Sequence, residues 1–162
     1  MTYPIRVPPR GTKGGGGMPG GRLFEMLQKG WTNRQKAQMA KSAEQAKFMG
    51  FPVAVVTTVG AKSGEERSHI LGAFPDGNDA WLLIASKGGA ATHPHWFHNI
   101  VKNPDKVWIQ IGNRKFRAHV ESLQGAERDA AYGRVVAVAK NYAPYQTKTD
   151  REIPVLRLTP AE

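Results

Sequence analysis

At 162 residues, 40% of them apolar and four of them tryptophan, the chain is long enough for one domain with a real core and is not of disordered composition. The absence of cysteine excludes disulfides, thiolate nucleophiles, cysteine-ligated zinc and iron–sulfur clusters; no eighteen-residue apolar run or secretory-type apolar stretch is present. Of the formal charge of +10, residues 1–50 carry +7, nine Lys/Arg against Glu25 and Glu44, a bias that suits an anionic membrane surface, a polyanionic ligand, nucleic acid, or solubility alone.

Residues 1–21 include "PPRGTKGGGGMPGG" and read as a flexible basic Gly/Pro-rich segment. Residues 22–50 read as helical: Leu23, Phe24, Leu27 and Trp31 recur at helical spacing, and 33–50 is rich in helix formers after a capping Asn33. The apolar face of 33–50 is thin, which suits a surface helix, a lid or a membrane-contacting element.

From Phe51 to Glu162 the pattern is that of an α+β domain. "VAVVTT" (53–58), "HILGAF" (69–74) and "WLLIAS" (81–86) are strands, with "PDGND" a turn between the last two. "HPHWFHNIVKNP" (93–104) is a short helix with Pro94 at its first position and His93 as a cap; Trp96 with Ile100, and Phe97 with Val101, are spaced as core contacts. "VWIQI" and "RKFRAHV" form a hairpin across Gly112-Asn113, the second strand alternating Phe116, Ala118 and Val120 with Lys115, Arg117 and His119. A helix follows over 125–139, then a loop "NYAPYQTKTDREIP", then a last strand "VLRL". Short antiparallel strands with inserted helices predict a small barrel or curled sheet.

Two loops carry the chemistry. "TTVGAKSGEERSH" sets Lys62, Ser63 and Arg67 around a glycine turn, and "ASKGG" repeats the idea with Ser86 and Lys87, so both offer donors suited to phosphate or carboxylate. Arg151 is a further candidate cation. P-loop and dinucleotide fingerprints are missing, and "AKSGE" lacks the first glycine of a nucleophile elbow. His93, His95 and His98 come without a carboxylate partner, so no metal is expected. Tyr142 and Tyr145, three apart, can stack on a flat ligand and offer a phenolic proton.

In this order and spacing, "TTVGAKSGEERSH", "IASKGGAATHPHWFHNIVKNP" and "YQTKTDREIPVLRL" resemble the deazaflavin-dependent nitroreductase family, over about Phe51 to Pro160. The resemblance implies a split β-barrel of the FMN-binding type and coenzyme F420, a deazaflavin with a phosphate and an oligoglutamate tail. It implies that Ala61, Lys62, Ser63 and Arg67 flank the anionic part, and that Ser68, His69, Ile70, Leu71 and Gly72 line the groove. Ile84, Ala85, Ser86 and Lys87 would run along the deazaflavin; His95, Trp96, Phe97, His98 and Asn99 would complete the pocket. Tyr142 would lie near the coenzyme and Tyr145 would face the substrate. Ala61 stands where the family usually has a basic residue, and Ala139 where nitroimidazole-activating members have a third tyrosine.

The implied function is hydride transfer from the reduced deazaflavin to a quinone, enone or nitroaromatic, with Tyr145, Ser86 or water giving the proton. A cytoplasmic enzyme is expected, with peripheral contact at the inner membrane face through residues 1–50. The rivals are an FMN or FAD protein of the same fold and a carrier of a fatty acid or other apolar anion. Nucleic-acid binding lacks aromatic and basic residues interleaved on a sheet and is not expected.

Overall fold

The computed structural model describes residues 5–14 and 52–161, and the expected helical segment at 22–50 lies outside them. Seven strands form one antiparallel sheet: β1 (Val53–Val59), β2 (Glu66–Gly72), β3 (Phe74–Pro75), β4 (Trp81–Ile84), β5 (Trp108–Ile111), β6 (Arg114–Ser122) and β7 (Val155–Pro160). Their order across the sheet is β2-β1-β5-β6-β7-β4-β3. Three helices are inserted: α1 (His95–Lys102), α2 (Gly125–Val138) and α3 (Ala143–Lys148).

The strands form where the sequence alternates or is wholly apolar. β1 is a β-branched run with a core on each face. Val53 and Val55 join Ile70, Leu82, Ile84 and Val155 on one side, while Ala54 and Val56 join Leu83, Phe97, Ile109 and Leu158 on the other. A continuous apolar strand is the sequence signature of that double burial. β6 instead buries Ala118 and Val120 and exposes Lys115, Arg117 and His119, as its alternation predicts. The β5–β6 hairpin turns on Gly112 at φ 58, where a side chain would be strained. The expected split β-barrel is therefore the fold.

Two local expectations need correction. The stretch 141–154 is not all loop: a 3-10 turn at Lys140–Tyr142 leads into α3, with Pro144 in its first turn, where a missing N–H costs nothing. His93 does not cap α1; Pro94 occupies the N-cap position in extended conformation.

The described part of the expected linker, residues 5–14, is strapped to the domain. Gly11 donates its N–H to Ala91 O (2.9 Å), Thr12 and Lys13 donate theirs to the Asp150 carboxylate, and Thr149 donates its hydroxyl to Lys13 O. Ile5 is buried in the second core, and Arg6 pairs with Glu152. The glycines serve close approach here. A Cβ on Gly11 would come within 2.6 Å of Asp150 Oδ1, and one on Gly14 within 2.2 Å of the Ala91 nitrogen.

Candidate functional site

The β1–β2 loop closes on itself through Gly60 N–H to Glu65 O (2.8 Å) and Gly64 N–H to Gly60 O (3.0 Å), with Gly64 at φ 73. Those bonds leave the N–H groups of Lys62 and Ser63 without a partner among the described residues. The side chains of Lys62 and Ser63 are exposed, and Ser63 Oγ accepts the Glu65 N–H. Arg67 is exposed as well but pairs with Glu65 at 2.9 Å, a solvent-facing contact on the order of 0–1 kcal/mol that an anion can displace.

The second loop is a 3-10 turn, Lys87–Gly89, following β4. Lys87, Gly88 and Gly89 hold φ values of 46, 65 and 85 in succession. A lysine at positive φ is uncommon and stores strain of about 1–3 kcal/mol, a pattern concentrated at ligand-holding turns. Gly89 and Ala90 N–H close the turn on Ser86 O and Lys87 O, and the N–H groups of Lys87 and Gly88 have no partner among the described residues. Lys87 Nζ is steered by Thr92 Oγ1 at 3.1 Å.

Helix α1 holds the first loop. Asn99 accepts the Ala61 N–H (3.0 Å) and donates to Thr58 Oγ1 (3.2 Å), while Asn103 donates to Val59 O (3.3 Å). His93 and Arg151 fix the other loop from behind. Arg151 is 1% exposed and fans its guanidinium to Ala90 O (2.9 Å), Ala85 O (3.1 Å), Ser86 O (2.8 Å) and His93 Nδ1 (2.8 Å). Arg151 is therefore not a ligand-facing cation, as the sequence suggested, but an internal strut. Burial pulls its pKa down to about 10.

Arginine can only donate, so His93 Nδ1 accepts and Nε2 carries the proton given to Pro8 O at 2.6 Å. Burial first, then the charges of Arg151 and of His98, hold the His93 pKa below its usual 6.5, against the pull of the Pro8 bond. His98 lies 5.8 Å away, ring to ring, and is itself depressed by burial, His95 and Lys87. For a histidine depressed in the folded state the unfolded chain takes the proton first. Stability is thus complete above pH 6.5 and declines as pH falls below it. Calorimetry from about pH 7.5 down to about pH 5 should show a shallower loss for His93→Gln than for wild type. Equal slopes would assign the decline to other groups.

The remaining expected site residues divide by geometry. In β2, alternation puts Ser68, Ile70 and Gly72 opposite Thr57, Val55 and Val53, and turns Arg67, His69 and Leu71 to the other face, so 68–72 cannot line one groove as a run. Ser68 and Thr57 share a hydroxyl–hydroxyl bond of 2.8 Å. Ile84 and Ala85 are buried on opposite faces; Ser86 is buried at the mouth of the turn. Trp96 and Phe97 are core residues, as their spacing suggested, and Asn99 orders the first loop; His95 and His98 are exposed on α1.

Tyr142 and Tyr145 meet edge to face at 5.2 Å, and Tyr142 also packs on Phe74 at 5.5 Å. Tyr132 on α2 donates to Tyr142 O (2.6 Å), and Arg128 reaches Gln146 Oε1 (2.6 Å) and Ile153 O, so α2 fixes the tyrosine segment. Burial raises the pKa of both tyrosines, and Asn141 donates weakly to Tyr145 OH (3.4 Å). Sequence reasoning missed Arg128, Tyr132 and Gln146 in this role.

Two glycine-cornered loops bearing cations, one held by α1 and the other by Arg151 and His93, lie on a curled antiparallel sheet beside a buried tyrosine pair, the form of a split barrel. Residues 30–160 match the model of the F420H(2)-dependent quinone reductase family, and the chain belongs to that family. An F420H(2)-dependent quinone reductase of Mycobacterium tuberculosis is 38% identical over 113 residues, 67% of this chain and 73% of that protein. A solved F420-H2 dependent reductase, FDR-A, aligns with TM-score 0.59 at 38% identity, covering 66% of this chain and 93% of that one. A solved chain described as a domain-swapped dimer aligns with TM-score 0.60 at 30% identity, over 84% and 98%. The protein is an F420H(2)-dependent reductase, and coenzyme F420 is its cofactor. No described helix is long and apolar enough to cross a membrane.

Proposed function

We propose that the chain reduces a quinone, and related enones or nitroaromatics, with reduced F420 as hydride donor. The observation that carries this reading is the pair of turns whose N–H groups at Lys62, Ser63, Lys87 and Gly88 have no partner among the described residues, a donor set fitted to the phosphate and carboxylates of the coenzyme. Lys62 and Lys87 add the charge, with His98 beside Lys87. When bound, the coenzyme supplies the hydride; the protein positions it, keeps water away and provides a proton. Ser86 Oγ makes no hydrogen bond within the described residues, and the residue lies largely buried at the turn. Tyr145 keeps its proton because burial raises its pKa, so it can neutralise charge developing on the acceptor oxygen.

Fluorescence titration with the deazaflavin, FMN in parallel, tests the assignment. Saturable uptake of the deazaflavin alone is expected; FMN binding would move the chain to the flavin proteins, and uptake of neither would favour the apolar-anion carrier. Tyr145→Phe is expected to lower kcat about 10²-fold, with the coenzyme Kd changed less than about threefold. An unchanged kcat removes Tyr145 from proton transfer.

The cation excess of residues 1–50 supports contact with an anionic membrane, where lipid-soluble quinones reside. Liposome flotation should weaken in the triple variant Arg22→Gln, Lys29→Gln, Arg34→Gln. Equal flotation sinks this part.

A further inference from the structure

We propose that Arg151 and His93 are positioning residues for the coenzyme loop and couple it to the strap at residues 5–14. The proposal rests on the reading of Lys87–Gly89 as a coenzyme turn. Three carbonyls of the 85–90 segment point inward to one guanidinium, so the chain that carries the Lys87 and Gly88 N–H groups, which have no partner among the described residues, is held from its carbonyl side. His93 takes the fourth direction of that guanidinium and spends its other ring nitrogen on Pro8 O. The strap completes a circuit, because Gly11 N–H bonds Ala91 O directly and Asp150, the neighbour of Arg151, accepts from Thr12 and Lys13.

Arg151 and the imidazole of His93 are buried, and no acidic side chain pairs with Arg151 among the described residues. A buried guanidinium compensated by neutral acceptors, three of them carbonyls, sets backbone geometry tightly, since each bond fixes both a direction and a distance. The strap is then a lever on the turn, and whatever holds or releases residues 5–14 shifts coenzyme affinity.

The experiment compares wild type, His93→Ala and His93→Asn in the full chain. Asparagine can place its Oδ1 where Nδ1 stood, accepting from Arg151 while losing the Pro8 bond; alanine loses both. Amide exchange by mass spectrometry follows the segments at 5–13 and 86–91, and steady-state kinetics follow the coenzyme. His93→Ala is expected to speed exchange about tenfold or more in both segments, and to raise the coenzyme KM about tenfold with kcat within about twofold. His93→Asn should restore the 86–91 segment and KM to within about threefold of wild type while the strap still exchanges fast.

Wild-type exchange at 86–91 in His93→Ala, or no rescue by His93→Asn, overturns the coupling. A fall in kcat at constant KM overturns the positioning role. If wild type takes up no deazaflavin, the functional reading fails on its own, and the exchange measurements still decide the coupling between strap and loop.

Discussion

Arg151→Met should melt about 6–20 °C below wild type, the largest stability loss expected of any single substitution near the site. Methionine approximates the volume of the arginine stem but donates nothing. Ala85 O, Ser86 O and Ala90 O would then face an apolar side chain in the interior, and His93 Nδ1 would lose its donor. A buried acceptor without a partner costs about 1–3 kcal/mol; Ser86 O keeps the Gly89 N–H, while Ala85 O, Ala90 O and His93 Nδ1 lose theirs, so a net loss of about 3–5 kcal/mol is expected. At about 2–4 °C per kcal/mol for a chain of this length, that gives the shift stated.

Buried ion pairs can often be exchanged for apolar groups without loss, because both charges leave together. That escape is closed here. The partners are main-chain carbonyls, which no substitution at position 151 removes. Thermal unfolding with a denaturant titration as a check would decide it. A loss under about 1 kcal/mol would mean that water satisfies the carbonyls and that Arg151 is not a strut.

Gly89→Ala is the second substitution with a large expected effect, and it should strike binding as well as stability. Gly89 holds φ 85, and a Cβ there would lie 2.8 Å from Tyr145 O and 3.0 Å from Lys148 Cβ. The backbone conformation alone costs an alanine about 1–2 kcal/mol. The contact adds more, because the nearest obstacle is a carbonyl of helix α3 and not the end of a flexible side chain. The turn must separate from α3, carrying the Lys87 and Gly88 amides with it. We expect a total loss of about 2–4 kcal/mol and a coenzyme Kd raised about tenfold or more.

Gly64 supplies the control. It also holds positive φ, 73, but nothing lies within 4 Å of where its Cβ would be. Gly64→Ala should therefore show the conformational cost alone, about 1 kcal/mol. Equal effects at the two positions would refute the close packing of turn against helix.

Much of the frame was legible because strands announce themselves by period and bounding turns. β1 is a β-branched run closed by Gly60, and β6 alternates without exception from Lys115 to Val120. The two cation loops were legible as well, since Gly, Ser and Lys recur after apolar runs. What supports them was not. Arg151 bonds backbone carbonyls some 61 to 66 residues away, and a carbonyl is the same in every residue, so no pattern of side chains records the partnership.

Proline misled at α3, where Pro144 lies in the first turn and starts a helix rather than preventing one. Glycine misled at residues 8–14. The same residue that frees a linker also lets one backbone lie against another, and composition does not distinguish the two. Alternation in β2 likewise divides a run that a motif treats as one unit.

The double burial of the sheet has a consequence for how such a protein can change. Along β1 and β4, neighbouring residues answer to different cores, so an altered side chain there disturbs packing whichever way it points. New acceptor preferences have to arise where the chain leaves the sheet: at the two turns, at the tyrosine segment, and in whatever residues beyond the strap meet the substrate. A library confined to those places should retain folded members at a far higher rate than one spread over the strands.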